Sequence, residues 1–416
     1  MTQLFGGKIY YGWYIALSLA ITETVSYGIM YYAFFVMMTP MEADLGWSRG
    51  QINLGLSLSL LVAGLLAYPI GWWVDKYGAR LLMTVGSIGA TIMIVLWSQV
   101  TNLWVFYIIW IGIGACGAMV LYEPAFAVIA TWFRQKRSTA LTIVTFAAGF
   151  ASTIFLPLAD YLLITFGWRQ ALVILAIMLG ILTIPLNGLI LRRRPDDLGI
   201  SVDGVDSKLD VDVKPEPNVS VSVAMRSRFF WMLTLGFFVA GFGAAAIRVH
   251  SIPIFVGLGM TSTMAAFASG SIGIMQVVGR VIFIPLDRFM SGRLMLAGLF
   301  AMQAIAIIAL VLGFSPIISV GIFVVFFGAS VGMRTLVRPS ILADTFGSAN
   351  YGRISSLMAL PLTISGTTAP FVAGVFYDYF QNYDALIGLT AILSIVACAV
   401  VIGLTTEKKV YSHHSR

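Results

Sequence analysis

Twelve long apolar stretches alternate with short hydrophilic gaps along the 416-residue chain. They lie at approximately 11–38, 51–74, 80–99, 103–131, 138–161, 168–191, 228–257, 262–286, 293–313, 316–341, 353–377 and 385–404. A helix that spans the hydrocarbon core of a bilayer needs about 20 mostly apolar residues. The pattern therefore predicts an all-α membrane protein with twelve transmembrane helices, the first of which is a retained span and not a signal peptide.

A polar segment at 192–227 separates the first six apolar stretches from the last six. It opens with three consecutive arginines, is rich in aspartate and contains Pro215 and Pro217. Low hydrophobicity combined with proline is typical of a flexible linker. The sequence therefore predicts an N-terminal six-helix bundle (1–191), a cytoplasmic linker (192–227), a C-terminal six-helix bundle (228–404) and a cytoplasmic tail (405–416).

Basic residues are distributed unequally between the hydrophilic gaps. Of the 25 Lys and Arg residues, 19 lie in alternate gaps or in the tails, and only Arg49 and Arg169 lie in the intervening gaps. Cytoplasmic loops of membrane proteins carry such an excess of positive charge. We therefore expect a multi-pass protein of a bacterial inner or plasma membrane, with both termini in the cytoplasm.

The composition supports a membrane protein and limits the possible functions. Hydrophobic residues make up 59% of the chain and charged residues 10%, whereas a soluble domain has roughly 45–50% apolar and 25% charged residues. The net charge of +7 follows from the cytoplasmic bias and gives no reason to expect nucleic acid. The sequence has no Walker A motif and no His/Cys metal cluster, so we expect neither an enzyme nor a cofactor.

Matching motifs in corresponding places indicate that the two halves are repeats, as is common in transporters. The pairs are Asp75-Lys76-Tyr77 and Asp287-Arg288-Phe289 at the ends of helices 2 and 8, Glu123-Pro124 and Arg338-Pro339 in helices 4 and 10, and Arg137 and Arg353 at the starts of helices 5 and 11. The repeat predicts two pseudo-symmetric bundles.

The segment Gly71-Trp72-Trp73-Val74-Asp75-Lys76-Tyr77-Gly78-Ala79-Arg80 resembles the signature of the loop between helices 2 and 3 in the major facilitator superfamily. The resemblance implies the fold of that superfamily. Asp75 and Arg80 can pair with charges or with a helix terminus at the cytoplasmic face, and we expect them to act in the conformational change. Asp287 and Arg288 match Asp75 and Lys76 in the second repeat, and we expect them to act in the conformational change as well.

Other motifs resemble the branch of monocarboxylate transporters and oxalate/formate antiporters. They are Tyr11-Gly12-Trp13, Gly46-Trp47-Ser48-Arg49 and Trp132-Phe133-Arg134-Gln135-Lys136-Arg137. Arg280 falls where the branch keeps an arginine in helix 8. Gln276 stands where animal members have an acidic residue, and their helix 1 lysine has no counterpart here, so the resemblance identifies no proton carrier.

Charged residues inside the predicted spans are the main candidates for function, because a charge is costly in the hydrocarbon. They are the four arginines Arg248, Arg280, Arg334 and Arg338 and the two carboxylates Glu23 and Glu123. Arginine does not lose its charge, and an unpaired buried charge costs several kcal/mol. The excess of arginines therefore indicates an anionic substrate.

Arg280 is the strongest candidate for binding this anion. Gln276 lies four residues earlier on the same helix face, so a guanidinium fork and an amide can grip a carboxylate together. Arg248, Arg334 and Tyr122 are further candidates. The alternative for each is a side chain that only bridges or packs helices.

An unperturbed histidine side chain changes its charge near neutral pH, so His250 is a candidate for binding either the substrate or a proton. Glu23, in the middle of helix 1, is a candidate proton carrier because removal from water favours the protonated carboxyl; a static ion pair with an arginine is equally compatible. Glu123 is a third candidate for proton coupling. Glu123 and Arg338 hold equivalent repeat positions and can form a cytoplasmic gate, unless each pairs locally, for instance Arg338 with Asp344.

These features together favour a secondary transporter, monomeric, that carries a small organic anion by alternating access. The resemblance implies a monocarboxylate, with either proton symport or anion exchange. A major facilitator exporter of drugs, or a carrier of siderophores or other organic solutes, is the alternative within the same class. A transporter-like sensor or a membrane-embedded enzyme is a different class, which no recognisable domain or catalytic pair in the sequence supports.

Overall fold

The computed structural model describes residues 10–204, 217–312 and 314–403. The predicted tail (405–416) and part of the predicted linker (205–216) lie outside the described residues. So do a few side chains within helices, among them that of Arg288. Across the described residues the regular elements are helices.

Each of the twelve predicted stretches is helical, so this prediction is confirmed. The first half contains α1 (Tyr11–Leu45), α2 (Arg49–Tyr77), α3 (Ala79–Ser98), α4 (Leu103–Trp132), α5 (137–166) and α6 (168–190). The second half contains α7 (Arg228–Val249), α8 (Ser262–Phe289), α9 (Gly292–Ala309), α10 (Pro316–Phe346), α11 (Tyr351–Phe380) and α12 (Asp384–Gly403).

Ten helices in the described part of the chain are long and apolar enough to cross a membrane. One of them, Arg137–Ile190, is 54 residues long and contains both α5 and α6. These two meet at Gly167, whose φ of +77° is a conformation that glycine adopts without steric cost. Counting α5 and α6 separately and adding α11 (Tyr351–Phe380) gives the twelve expected spans.

The predicted helix at 228–257 is interrupted at His250, where the sequence indicated a continuous span. α7 ends at Val249, and a separate short helix covers Ser251–Gly257. Pro253 lies in the first turn of this short helix and has no N–H to donate to the carbonyl of Val249, which ends the first helix. The angle expected between Arg248 and His250 on a continuous helix therefore does not apply.

The chain forms two compact units. Unit 1 comprises Met1–Val219 together with Leu342–Leu357, and unit 2 comprises Ser220–Ile341 together with Met358–Arg416. Unit 1 thus holds α1 to α6 and also the connection between α10 and α11.

Aromatic rings and small residues explain the packing of unit 1. Phe34, Trp97 and Trp110 are fully buried, and both Phe34 and Trp97 meet Trp110 edge to face, with ring centroids 4.7 and 5.1 Å away. α4 crosses α2 at Gly114, where a Cβ would clash with the carbonyl oxygen of Ser59. Close crossings of membrane helices commonly rely on small residues in this way.

A similar crossing organises unit 2. A Cβ on Gly332 of α10 would clash with the carbonyl oxygen of Gln276 on α8, and a Cβ on Gly279 would clash with the backbone of Ala329. Gln303 of α9 donates to the carbonyl of Ala240 (2.8 Å) and to the hydroxyl of Ser394 (3.3 Å). These bonds connect α9 with α7 and α12.

The first part of the predicted linker, 192–204, is folded against unit 1. The Asp203 carboxylate accepts hydrogen bonds from the backbone N–H groups of Arg134 (3.0 Å), Gln135 (2.7 Å) and Lys136 (3.4 Å). Trp132 Nε1 donates to the carbonyl of Arg192 (3.2 Å). Burial and the nearby Asp203 carboxylate raise the pKa of the Tyr10 phenol. This part of the segment therefore differs from the flexible chain expected from its composition.

Candidate substrate site

Arg280 and Gln276 lie at the place where α8 and α10 cross. Arg280 is buried, with 8% of its surface exposed, and Gln276 lies one helical turn before it. The backbone of Gln276 is in close contact with Gly332, so the position of this turn of α8 is fixed by α10. The two side chains that the sequence singled out for a carboxylate are thus placed on one rigid crossing.

Arg334 lies two residues after Gly332 on α10 and is the centre of an arginine cluster. Its Nη1 atom is buried and has no hydrogen-bond partner among the described residues. Arg248 and Arg338 are close enough to act on its charge. The three residues Arg248, Arg334 and Arg338 are called the arginine cluster below. Three like charges in one region of a membrane protein repel one another, and a role of this cluster in binding an anion stays a prediction.

His250 makes a hydrogen bond outside this crossing. Its Nδ1 atom lies 3.0 Å from the hydroxyl of Tyr383, and the Tyr383 ring stacks on Tyr377 with centroids 4.7 Å apart. Ser251, the next residue, shares a hydrogen bond of 2.7 Å with Ser269 of α8. The imidazole therefore contributes to a polar contact between α7 and the start of α12, and its role with substrate or protons stays a prediction.

Glu23 is buried in α1 of unit 1. Its exposed fraction is 0%, and neither carboxylate oxygen has a hydrogen-bond partner among the described residues. Tyr27, one turn later, is close enough to interact with it electrostatically. Within the part of the chain that the structure describes, Glu23 does not make the static ion pair that the sequence left open.

Tyr122 belongs to a row of aromatic rings in unit 1. Its ring lies 4.9 Å from that of Tyr27 and stacks on Phe126 at an interplanar angle of 12°. α4 is broken at Leu121, whose backbone is extended, and Pro124 follows in the next turn. The break turns Tyr122 towards α1, where it packs with Tyr27.

Glu123 Oε2 accepts a hydrogen bond of 2.6 Å from the hydroxyl of Ser355. Asp344, the alternative partner considered for Arg338, lies 2.7 Å from Arg137. Glu123 belongs to unit 1 and Arg338 to unit 2. The gate formed by this pair, and the part of Asp287 and Arg288 in gating, stay predictions.

Asp75 binds the N-terminus of α11. Its carboxylate accepts from the backbone N–H groups of Gly352 (2.8 Å) and Arg353 (3.0 Å) and from Nε of Arg353 (3.2 Å). A carboxylate at this end of a helix also interacts favourably with the helix dipole. Arg80 binds near the C-terminus of a helix. Its Nε donates to the carbonyl of Gly188, close to the end of α6 (2.7 Å).

The ion pair between Arg137 and Asp344 and the anchoring of Asp203 were missed by the sequence interpretation. The repeat did mark Arg137, because it matches Arg353, but gave no partner for it. Nothing in the local sequence distinguishes Asp203 from the other aspartates of the polar segment.

Comparison with known proteins identifies the family. The model of the Major Facilitator Superfamily matches residues 21–333. The chain belongs to this superfamily. It is therefore a multi-pass membrane transporter and not an enzyme. Solved structures of the superfamily have the same fold: the Escherichia coli fucose:proton symporter FucP superposes with a TM-score of 0.69 at 14% identity, covering 94% of this chain and 98% of FucP.

Relatives within the superfamily are distant. An uncharacterised transporter of Bacillus subtilis, YcxA, is 24% identical over 92% of this chain and 93% of its own length. Monocarboxylate transporter 12 of Xenopus laevis is 24% identical over 82% of this chain and 77% of its own. The oxalate:formate antiporter of Oxalobacter formigenes is 24% identical over 63% of this chain and 59% of its own.

Proposed function

We propose that this transporter carries a small organic anion whose charged group is a carboxylate. The observation that supports the proposal is the burial of Arg280, one turn after Gln276, at the α8–α10 crossing. A guanidinium presents two parallel N–H donors that match the two oxygens of a carboxylate. Gln276, one turn away, can add a neutral hydrogen bond to the same group.

The relatives support the class of substrate. One of them is named as a monocarboxylate transporter and another as an oxalate:formate antiporter. All these named substrates are small carboxylates, and the motifs that this chain shares with that branch include the arginine of helix 8. A drug or siderophore carrier finds no comparable support among the contacts of the described residues.

For the mode of coupling, we favour proton symport over anion exchange. Glu23 is enclosed and has no partner for its carboxylate oxygens among the described residues. Leaving an ionised carboxylate in such a place costs several kcal/mol, whereas the neutral acid costs much less. A group that is neutral while enclosed and ionised when open to water can take up and release one proton in each transport cycle.

Arg280→Lys tests the carboxylate site. Lysine keeps the charge but cannot reproduce the planar grip, so affinity should fall by roughly 30-fold or more, the equivalent of at least about 2 kcal/mol. Binding is measured by thermal shift or scintillation proximity on purified protein with a panel of labelled carboxylates. Arg226→Lys, at an exposed position before α7, is the matched control.

Methyl esters and amides of the same acids separate this mechanism from a general loss of folding. They should bind the wild type weakly and lose little more in Arg280→Lys. If Arg280→Lys binds carboxylates as tightly as the wild type, Arg280 is not the carboxylate-binding residue. If the wild type neither binds nor exchanges any carboxylate of the panel, the proposed substrate class is wrong.

A further inference from the structure

The connection between α10 and α11 is bound by helices of the first half of the chain. This connection, Leu342–Leu357, belongs to unit 1, whereas the rest of both helices belongs to unit 2. Asp75, in the last turn of α2, caps the N-terminus of α11, and Arg137, at the start of α5, binds Asp344. Transporters of this fold work by rocking one half of the molecule against the other, so these two contacts have to be released and formed again during transport.

The folded start of the polar segment (192–204, called the strap below) binds the residue directly after Asp75. Nη2 of Arg193 donates to the carbonyl of Lys76 (2.7 Å). The same side chain covers Gly78, which follows α2 with a φ of +83° and on which a Cβ would lie 2.7 Å from Cγ of Arg193. Arg193 therefore fixes the last turn of α2, from which the carboxylate of Asp75 projects.

The other end of the strap binds the residue directly before Arg137. The carboxylate of Asp203 accepts from three consecutive backbone N–H groups, those of residues 134–136, and α5 begins at the next residue. Asp203 itself has a φ of +60°, a conformation that few residues other than glycine, asparagine and aspartate adopt readily. Asp203 therefore fixes the turn from which the guanidinium of Arg137 reaches Asp344.

We infer that the strap is a positioning element of the transport cycle. Arg193 and Asp203 each bind the chain directly beside a side chain that binds the α10–α11 connection. Through these two points the strap keeps Asp75 and Arg137 in the places from which they bind it. Loss of either point should make the connection leave unit 1 more often. This inference goes beyond the proposed function and holds whichever substrate is carried.

A cysteine in place of Ser356 reports on release of the connection. Ser356 is 1% exposed and lies against Gly71 of α2, where a Cβ would clash with its Oγ. Because of this contact, the reporter meets solvent when the connection leaves α2. The measurement is the rate at which N-ethylmaleimide labels Ser356→Cys in the purified full-length protein, in a background without Cys116 and Cys398. It needs no substrate, so its result does not depend on the proposed carboxylate.

Two variants of the strap are compared in this background. Arg193→Gln removes the donor to Lys76, and Asp203→Asn replaces two carboxylate oxygens by one amide oxygen while keeping a residue that tolerates the backbone conformation. Each should be labelled roughly threefold or more faster, as expected for the loss of about one hydrogen bond. Arg194→Gln, which removes the same charge from the next residue and leaves the bond to Lys76 in place, is the matched control and should be labelled at the unchanged rate.

A double-mutant cycle tests whether the strap acts through Asp75. Asp75→Asn should itself accelerate labelling, and Arg193→Gln should add little in that background, because residues that act through one contact are not additive. Arg193→Lys keeps a donor on a long side chain and should restore slow labelling. Strictly additive effects of Arg193→Gln and Asp75→Asn would contradict a route through Asp75.

The native Cys116 distinguishes positioning from a general loosening of unit 1. It is buried in α4 and its Sγ lies against Gly89 of α3. In protein that keeps Cys116 and lacks Cys398 and the reporter, its labelling rate should be the same with and without the strap substitutions. Equal acceleration at Cys116 and at Ser356→Cys would overturn the inference. So would an unchanged rate at Ser356→Cys in both strap variants.

Discussion

Arg137 holds Asp344 by an ion pair of 2.7 Å in which the two partners differ greatly in exposure. The side chain of Arg137 is 3% exposed and that of Asp344 is 61% exposed. Arg137 also donates from Nε to the carbonyl of Phe133 (3.0 Å) and from Nη2 to that of Ala130 (3.2 Å). The guanidinium thus satisfies the carbonyls at the end of α4 and binds the end of α10.

This asymmetry predicts unequal effects of removing each partner. Asp344→Asn should lower the free energy of unfolding by about 1 kcal/mol or less, since an exposed partner is screened by water. Arg137→Met should lower it by about 1–3 kcal/mol, because the carbonyls of Ala130 and Phe133 lose a donor in a buried place. Thermal unfolding in detergent measures both. Equal losses in the two variants would contradict a main role for the carbonyl contacts.

The enclosed carboxyl of Glu23 predicts a separation of coupling from transport. Glu23→Gln should abolish accumulation of substrate driven by an inward proton gradient and should leave counterflow of labelled substrate in place, because glutamine imitates the neutral acid. Uptake into proteoliposomes with and without the gradient is the measurement. Glu42→Gln, at the other end of α1, is the matched control and should accumulate substrate as the wild type does.

A Glu23→Gln variant that still accumulates substrate against its gradient would exclude Glu23 as the proton carrier. His250 would then be the next residue to replace, since its Nδ1 atom shares a hydrogen bond with the hydroxyl of Tyr383. Loss of counterflow together with accumulation would show that Glu23 is needed for transport itself.

Cysteine labelling tests the orientation predicted from the distribution of basic residues. In a variant without Cys116 and Cys398, Ser201→Cys should react with a membrane-impermeant maleimide only after cells are opened. Thr101→Cys, in the gap between α3 and α4, is the matched control and should react in intact cells. Labelling of Ser201→Cys from outside would reverse the predicted topology.

The bonds of Asp203 predict that 192–204 protects its own arginines from proteolysis. Asp203→Ala removes the acceptor of three backbone N–H groups and should lower the free energy of unfolding by about 1–3 kcal/mol. Trypsin should cleave faster after Arg192 or Arg193 in this variant. Asp196→Ala, an exposed aspartate in the same segment, should leave the cleavage rate unchanged, and equal acceleration in both would argue against a specific role of Asp203.

The sequence predicted the twelve spans because a helix that crosses a bilayer needs about 20 mostly apolar residues. Such a long apolar stretch can be read directly from the sequence. It also predicted that Asp75 would pair with a charge or with a helix terminus, and Asp75 has both kinds of partner. It could not identify α11 as that helix, since the pairing connects residues that are 277 and 278 positions apart.

The folded start of the polar segment could not be predicted for a different reason. Composition describes the average tendency of a segment, whereas Asp203 is held by three N–H groups of one turn between α4 and α5. The same limit applies to the arginine cluster. The hydrophobic pattern showed four arginines inside the predicted spans. Only the fold brings Arg248 and Arg338 near Arg334 and places Arg280 at the α8–α10 crossing.

Gly28–Tyr32 forms a π-helical turn within α1, which has a consequence for comparing this transporter with its relatives. A π turn corresponds to an α-helix with one residue inserted, and each residue advances a helix by about 100°. The faces of α1 before and after the turn, with Glu23 on one side and Phe34 on the other, are therefore out of phase with those of an uninterrupted helix. An alignment of α1 without a gap at this turn will assign the residues beyond it to the wrong face, whereas a relative with one residue fewer here can present the same faces on an unbroken α-helix.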